Sequence, residues 1–261
     1  MRALSIAATG MSAQAMRVEV ISNNLANMST TGYNARRAEF ADLHYQQATR
    51  AGTINAADGT VVPTGVQLGL GVRPAAVTII VAQGTLSATG GDLDIAIDGH
   101  GYLEVQLPSG VSAYTRDGGL KRSADGQIVT SDGYPVVPDI TIPPDARSVS
   151  INADGEVYAY FNDRVAPELL GQFTLAGFTN VKGLEAIGSN LFLETAASGP
   201  AQVSVPGVDG LGTLRQGYLE ESAVDAVREL TDLIEAQRGY ELNAKVITAA
   251  DQMLGATTQI R

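Results

Sequence analysis

The chain of 261 residues contains no cysteine. That excludes disulfide bonds, a thiol nucleophile and thiolate metal ligation, and it is compatible with an oxidising compartment without requiring one. Histidine is nearly as scarce: His44 and His100 stand far apart, in no metal-ligand spacing of the H-E-x-x-H kind. Aromatic residues make up only 5% of the chain against 29 glycines, which suits turn-rich β structure better than a compact helical enzyme. No apolar run approaches the roughly 18 residues of a membrane-spanning helix, so no membrane insertion is expected. Arg2 leads into an amphipathic pattern rather than an apolar stretch with a cleavage site, so no cleaved secretory signal is expected. A clustered positive face is also missing: the net charge is −11, which argues against nucleic acid as a partner.

The enzyme constellations fail one by one. There is no G-x-S-x-G elbow, and Gly69-Leu70-Gly71 lacks the third glycine and the strand-turn-helix setting of a dinucleotide fingerprint. Asp92, Asp94 and Asp98 lack the glycine and closing glutamate of a calcium loop, and Asp98-Gly99 reads better as a hairpin turn. With 28 acidic residues, paired carboxylates are inevitable and decide nothing. No catalytic, cofactor-binding or metal residue is expected, and the chain reads as a non-enzyme.

What is present lies at the two ends. Leu4, Met11, Val18 and Leu25 fall seven apart, with Ala8, Ala15 and Ser22 interleaved at 4-3 spacing. This is the narrow stripe of a coiled-coil seam, predicting a helix over 3–28. Near the other end Val227, Leu230, Ile234, Tyr240, Ala244, Ile247 and Leu254 recur at three- and four-residue steps, predicting a helix over about 223–256. Ser222 and Asp225 open it in the manner of a capping box. Helices with so thin an apolar stripe must bury it against something else. The nearest partner is the other terminus, and the next is the same pair in neighbouring copies.

Charge divides the chain in the same way. Residues 1–50 carry a net +2 and residues 222–261 a net −2, so the acidic middle, 51–221, holds the whole −11. A neutral terminal layer can pack densely against copies of itself, whereas a middle this acidic prefers a solvated outer radius. That middle is punctuated by Asp-Gly pairs at 98–99, 117–118, 125–126, 132–133 and 154–155, between alternating runs such as Tyr102-Leu103-Glu104-Val105. The pattern predicts an antiparallel meander or small sandwich.

The fold class expected is therefore α+β, with paired terminal helices as a coiled-coil layer and an antiparallel β-rich domain inserted between them. Its parts are a discontinuous helical domain of 1–32 plus 222–261, an extended linker or bridging segment over 33–72, and an outer β-rich domain over 73–221. From about Gln46 to Val66 the chain is small and polar, a stretch long enough to be functional or disordered.

The terminal motifs also carry a resemblance. Ile21-Ser22-Asn23-Asn24-Leu25-Ala26-Asn27-Met28-Ser29-Thr30-Thr31-Gly32-Tyr33 resembles the N-terminal signature of the bacterial flagellar rod and hook proteins, and 233–247, around Gln237-Arg238-Gly239-Tyr240, resembles their C-terminal signature. Val66–Pro74 and Ala113–Gly118 resemble the distal-rod branch of that family. Gly239 departs from the family's usual alanine, a change that loosens an exposed helix by ~1 kcal/mol. The resemblance implies export through the flagellar type III apparatus and assembly into a hollow helical rod in the basal body, from periplasm to outer membrane. The implied partners are copies of the chain in a helical homopolymer, the proximal rod proteins, the hook protein and the P-ring and L-ring proteins. A proximal-rod protein and a secreted β-rich binding module remain as alternatives. The assembly faces expected are Leu4, Ala8, Met11, Ala15, Val18, Ser22, Asn24, Leu25 and Asn27 at one end. At the other they are Val227, Leu230, Ile234, Gln237, Arg238, Tyr240, Asn243, Ala244, Ile247 and Leu254. A rod-stiffening role is expected for 46–66, marked by Gln46, Gly52, Asp58, Pro63 and Gly65.

Overall fold

A computed structural model describes residues 2–50 and 64–259. The chain divides into two compact units. One is helical, built from Met1–Leu25, Arg36–Thr78 and Ala226–Arg261; the other is β-rich, built from Ala26–Ala35 and Ile79–Asp225.

In the helical unit, α1 runs over Arg2–Ala26 and α2 over Ala226–Gln259. At 1.5 Å per residue they are roughly 37 and 51 Å long. Both boundaries differ slightly from the sequence pattern. Helix α1 stops before Asn27, whose carbonyl accepts from the Thr30 amide in a turn. Gly32, expected as a helix stop, sits six residues further on with φ of 64°. Its Cβ would press on the Arg116 backbone, so the position requires glycine for space as well as for conformation. Helix α2 starts after Asp225, while the Ser222 hydroxyl accepts from the Val224 amide in a turn outside the helix.

Between the helices in sequence, β1 (Arg36–Asp42), β2 (Tyr45–Thr49), β3 (Val66–Gly69) and β4 (Val72–Ile79) form two ribbons. β1 pairs with β4, and β2 pairs antiparallel with β3, with Gln46 opposite Leu68. Much of the expected linker is therefore paired strand. Of the stiffening residues, Gly52, Asp58 and Pro63 lie outside the described residues.

The β-rich unit is an antiparallel assembly. β5 (Leu86–Ala88) pairs with Tyr218–Glu220, and β6 (Ile95–Asp98) pairs with Thr213–Gln216. β7 (Tyr102–Gln106) and β8 (Ser112–Thr115) lie at the centre of a seven-stranded sheet that also takes in Leu175–Gly177, Leu191–Leu193, Glu185–Gly188, Gln202–Ser204 and Val136–Val137. A three-stranded sheet of Ala146–Ile151, Glu156–Phe161 and Glu168–Gln172 completes it. Leu103, Val105, Ile128, Val136, Val157, Phe173 and Leu175 are all but completely buried, forming one continuous core. Alternation along the strands places these side chains on the inner faces, and closure over them supplies most of the unit's stability.

The Asp-Gly pairs behave unequally. Asp125-Gly126 and Asp154-Gly155 turn true hairpins, and Asp132-Gly133 closes a tight turn from Thr130 to Tyr134. Asp98-Gly99, expected as a hairpin, is not one: β6 pairs with Thr213–Gln216, far along the chain, and not with its neighbour β7. Asp117-Gly118 likewise follows β8 without returning along it. Dipeptide chemistry sets a local bend, but which strand then pairs is decided by burial of both neighbours.

Candidate assembly surface

The two helices meet along short side chains. Gly10 lies against Asn243 and Gly239 against Gln14, so close that a Cβ on either glycine would fall 3.0–3.1 Å from the partner side chain. Arg17 pairs with Asp232 at 2.8 Å and with Glu235 at 3.4 Å, and the Asn24 amide donates to Glu229 at 3.1 Å. Each step forward along α1 meets a step backward along α2, so the pair is antiparallel. The contact stripe on α1 is Ala7, Gly10, Gln14, Arg17, Ile21 and Asn24, itself at 3-4 spacing. On α2 it is Glu229, Asp232, Ala236, Gly239, Asn243 and Ala250, with Ala236 and Ala250 buried.

This seam stands one residue before the expected one. Ala8, Met11, Ala15, Val18, Ser22 and Leu25 each follow a seam residue, which turns them about 100° away around the helix. Leu4, Met11, Ala15, Val18 and Leu25 are only half-buried, and Ala8 and Ser22 are exposed. On α2, Val227, Leu230, Ile234, Gln237, Arg238 and Tyr240 are exposed, while Asn243, Ala244, Ile247 and Leu254 are half-buried on or beside the seam. The physical reason is size. Glycine and alanine let the axes approach, and the polar contacts of Arg17 and Asn24 set the register, leaving most of the larger apolar side chains beside the seam, half-buried or exposed. A stripe of small residues at heptad spacing was the signal available in the sequence.

Asn24 is the best-fastened of the expected residues, 1% exposed. Its side chain donates to the Arg36 carbonyl at 2.8 Å and accepts from the Arg36 amide at 2.9 Å, imitating a strand neighbour and tying the start of β1 to α1. Asn27 accepts from the Thr30 hydroxyl at 3.1 Å. Tyr240 contributes to an open groove of about 530 Å³ along one flank of the helix pair, lined by Ala15, Val18, Glu19, Gln237, Tyr240 and Glu241. Gln46 is exposed on its ribbon and Gly65 half-buried beside it.

In the β-rich unit the polar centre is Arg116, within one of the motifs that carried the resemblance. Its guanidinium is 7% exposed and donates to Glu220 at 2.7 Å and to the carbonyls of Gly101 and Gly99 at 3.1 and 2.8 Å. Glu220 also accepts from the Gly84 amide through its carboxylate and from the Gly32 amide through its carbonyl. Segments far apart in sequence, around residues 32, 84, 116 and 220, are thus fastened at one buried pair. A cleft of about 330 Å³ borders Arg116, Tyr102, Phe178 and His100. Every guanidinium nitrogen is already engaged within the protein, so Arg116 offers no free charge to a ligand there. Burial pushes the Tyr114 hydroxyl up to about 12 and raises Tyr102, as expected for hydroxyls in an aromatic cluster rather than acid–base groups. Of the clustered aspartates, Asp94 accepts from Thr89 and Asp98 pairs with Arg215 at 2.8 Å. Among the described residues no three acidic or histidine side chains gather as a metal site.

An antiparallel pair of terminal helices with apolar side chains exposed on α2, and an antiparallel β-rich unit between them in sequence, define an α+β class. Known proteins give this class its family. Residues 4–34 match the flagella basal body rod protein family, 96–159 the D1 domain of flagellar hook proteins FlgE/F/G, and 215–260 the C-terminal region of flagellar basal body rod FlgEFG proteins. The chain is 54% identical, over the full length of both, to the flagellar basal-body rod protein FlgG of Caulobacter vibrioides. It is 39% identical to FlgG of Bacillus subtilis, over 97% of each chain. Against the flagellar hook-basal body complex protein FlhP of the same bacterium it is 32% identical over the whole of both. The chain belongs to the flagellar basal-body rod protein family, as a structural component of the flagellar basal body. Two of these three relatives are named as basal-body rod proteins and the third as a hook-basal body complex protein.

Proposed function

We propose that the chain is the subunit of the distal rod, assembling head-to-tail into a rigid hollow helix that carries motor torque to the hook and serves as an export channel. The observation that supports this most is the apolar surface of the helix pair: Val227, Leu230 and Ile234 on α2 are exposed and the Leu4–Leu25 stripe on α1 is only half-buried, both at three- and four- or seven-residue spacing. Side chains of this kind at this spacing fit other helices, and repeated copies supply them. A head-to-tail contact that does not close on itself generates an open filament. The near-neutral terminal segments can crowd at small radius around a channel, whereas the acidic middle repels its own copies. Proximal rod proteins below, hook protein above and P-ring and L-ring proteins around complete the set of neighbours. Export unfolded through the flagellar type III apparatus delivers the chain to a basal body spanning periplasm to outer membrane. The assembly faces are those named from the sequence, and 46–66 acts as the stiffening wedge, with exposed Val66 and Leu68 on β3 offering it an apolar face toward a neighbouring subunit.

Electron microscopy of basal bodies from the host, with the gene deleted and then restored, tests the reading. Truncated rods lacking hook and filament are expected in the deletion strain. Complete hook–basal bodies there would overturn the distal-rod role and turn attention to a paralogous axial protein.

A further inference from the structure

Relative to the seam, the helix pair has two distinct flanks. The groove residues follow seam residues by one: Ala15 and Val18 follow Gln14 and Arg17, while Gln237 and Tyr240 follow Ala236 and Gly239. At about 100° per residue in antiparallel helices, both sets turn to the same side of the pair. The C-terminal half of α2 carries a further stripe that precedes the seam by one. Leu242, Val246, Ala249 and Met253 recur at 4-3-4 spacing, with Leu242 preceding Asn243 and Ala249 preceding Ala250. Leu242 is 62% exposed, Val246 48% and Met253 65%. This stripe faces the flank opposite the groove.

Charge borders both, with Glu241 and Lys245 one turn apart on α2. The groove is rimmed by Glu19 from α1 and Glu241 from α2. The stripe is bordered by Lys245, three residues after Leu242 and four before Ala249, and exposed.

Resting on the self-assembly just described, we propose that the Leu242–Val246–Met253 stripe of one copy seats in the Ala15–Val18–Tyr240 groove of the next, with Lys245 between Glu19 and Glu241. The occupant of the groove is thus a second copy of this chain, and specifically the C-terminal half of its α2. Knob and groove lie on opposite flanks of the same helix pair, so the contact cannot be satisfied by a two-fold dimer. Each copy that fills one groove presents a new one, and addition continues in one direction around the assembly. Burial of apolar side chains supplies the attraction, and the two carboxylates facing one ammonium select the register.

The absence of cysteine permits a direct test. A double variant, Val18→Cys with Val246→Cys, is expressed in the deletion strain, and isolated basal bodies are oxidised mildly. The two sites face opposite flanks within one chain, so a ladder of cross-linked dimers, trimers and higher multimers is expected, absent from either single variant. Rods that assemble yet give no ladder would overturn the groove assignment while leaving self-assembly intact. Failure of the unaltered chain to form rods at all would instead overturn the proposed function. Should the cysteine variant not assemble, charge reversal reads the same contact. Glu19→Lys with Glu241→Lys is expected to cut the yield of complete rods at least tenfold, and added Lys245→Glu to restore part of it. A yield unaffected by the first change, or not recovered by the second, counts against the proposal.

Discussion

In the β-rich unit Leu103, Val105, Phe173 and Leu175 are fully enclosed, and the few buried polar groups, chiefly Arg116 and Glu220, satisfy one another. In the helical unit the buried apolar residues are small, mostly alanine with Ile21, while large apolar side chains are half-buried along much of α1 and several stand in solvent along α2. One unit has solved its packing within the chain; the other has solved only its register. A soluble domain seldom leaves apolar stripes of this length open unless they are a binding surface. The contrast teaches where packing is complete: the β-rich unit is a finished fold, and the helix pair, with its exposed apolar side chains, is the part proposed to form an interface.

The largest effect should come from breaking the finished side. A Cβ at Gly118 would overlap the Ile95 carbonyl oxygen, backbone that has no room to yield. Gly118→Ala is expected to prevent folding of the β-rich unit, read as loss of its sheet signal in circular dichroism and rapid proteolysis. Removing one member of the buried pair ranks next. Arg116→Leu leaves Glu220 buried and unpaired, a loss of about 3–5 kcal/mol. The double change Arg116→Leu with Glu220→Leu should cost clearly less in chemical denaturation, and equal costs would show that the pair's mutual neutralisation is not what matters.

On the open side the effects should be smaller and local. Asn24→Ala strands the Arg36 amide and carbonyl, about 1–3 kcal/mol by the cost of unsatisfied buried groups. Hydrogen exchange should quicken at α1 and β1 while Leu103 and Phe173 stay protected; quickening throughout would erase the distinction between the units. The mildest test uses pH. Burial raises Asp117 above the usual carboxylate range, partly opposed by the Gly119 amide that donates to it. A carboxyl whose folded pKa is raised favours folding while protonated and loses that contribution as pH rises through its folded pKa. Asp117→Asn, which keeps an acceptor for Gly119, should therefore raise the melting temperature slightly at pH 7, with the gain shrinking as pH falls into the carboxylate range. A gain independent of pH would assign the effect to something other than ionisation.

Much of this contrast was legible in the residues. Periodicity marked both helices to within a few residues, because an amphipathic stripe is a one-dimensional signal. Alternation and turn dipeptides marked the β-rich middle for the same reason, and the two signature motifs marked the family. The seam was not legible. Apolar side chains at heptad spacing pointed to Leu4, Met11 and Val18, yet the chain pairs its helices through Gly10, Gln14 and Gly239, one position away. Nor could Asp98-Gly99 reveal that β6 would pair with residues more than a hundred positions later. The stripe of Leu242, Val246 and Met253 was present in the sequence but overlapped in phase with the residues around it, and only exposure separates it from them.

The sequence by itself determined the class of elements, the division of charge, the absence of thiol chemistry and membership of the rod family. These depend on local period and on composition, which folding does not alter. Tertiary structure alone decided which face of each helix is spent on the intrachain seam and which is not. It also decided how Arg116 and Glu220, 104 residues apart in sequence, come to share a buried site. Both are matters of how closely two surfaces can approach, and that depends on the size of side chains far apart in sequence meeting in space.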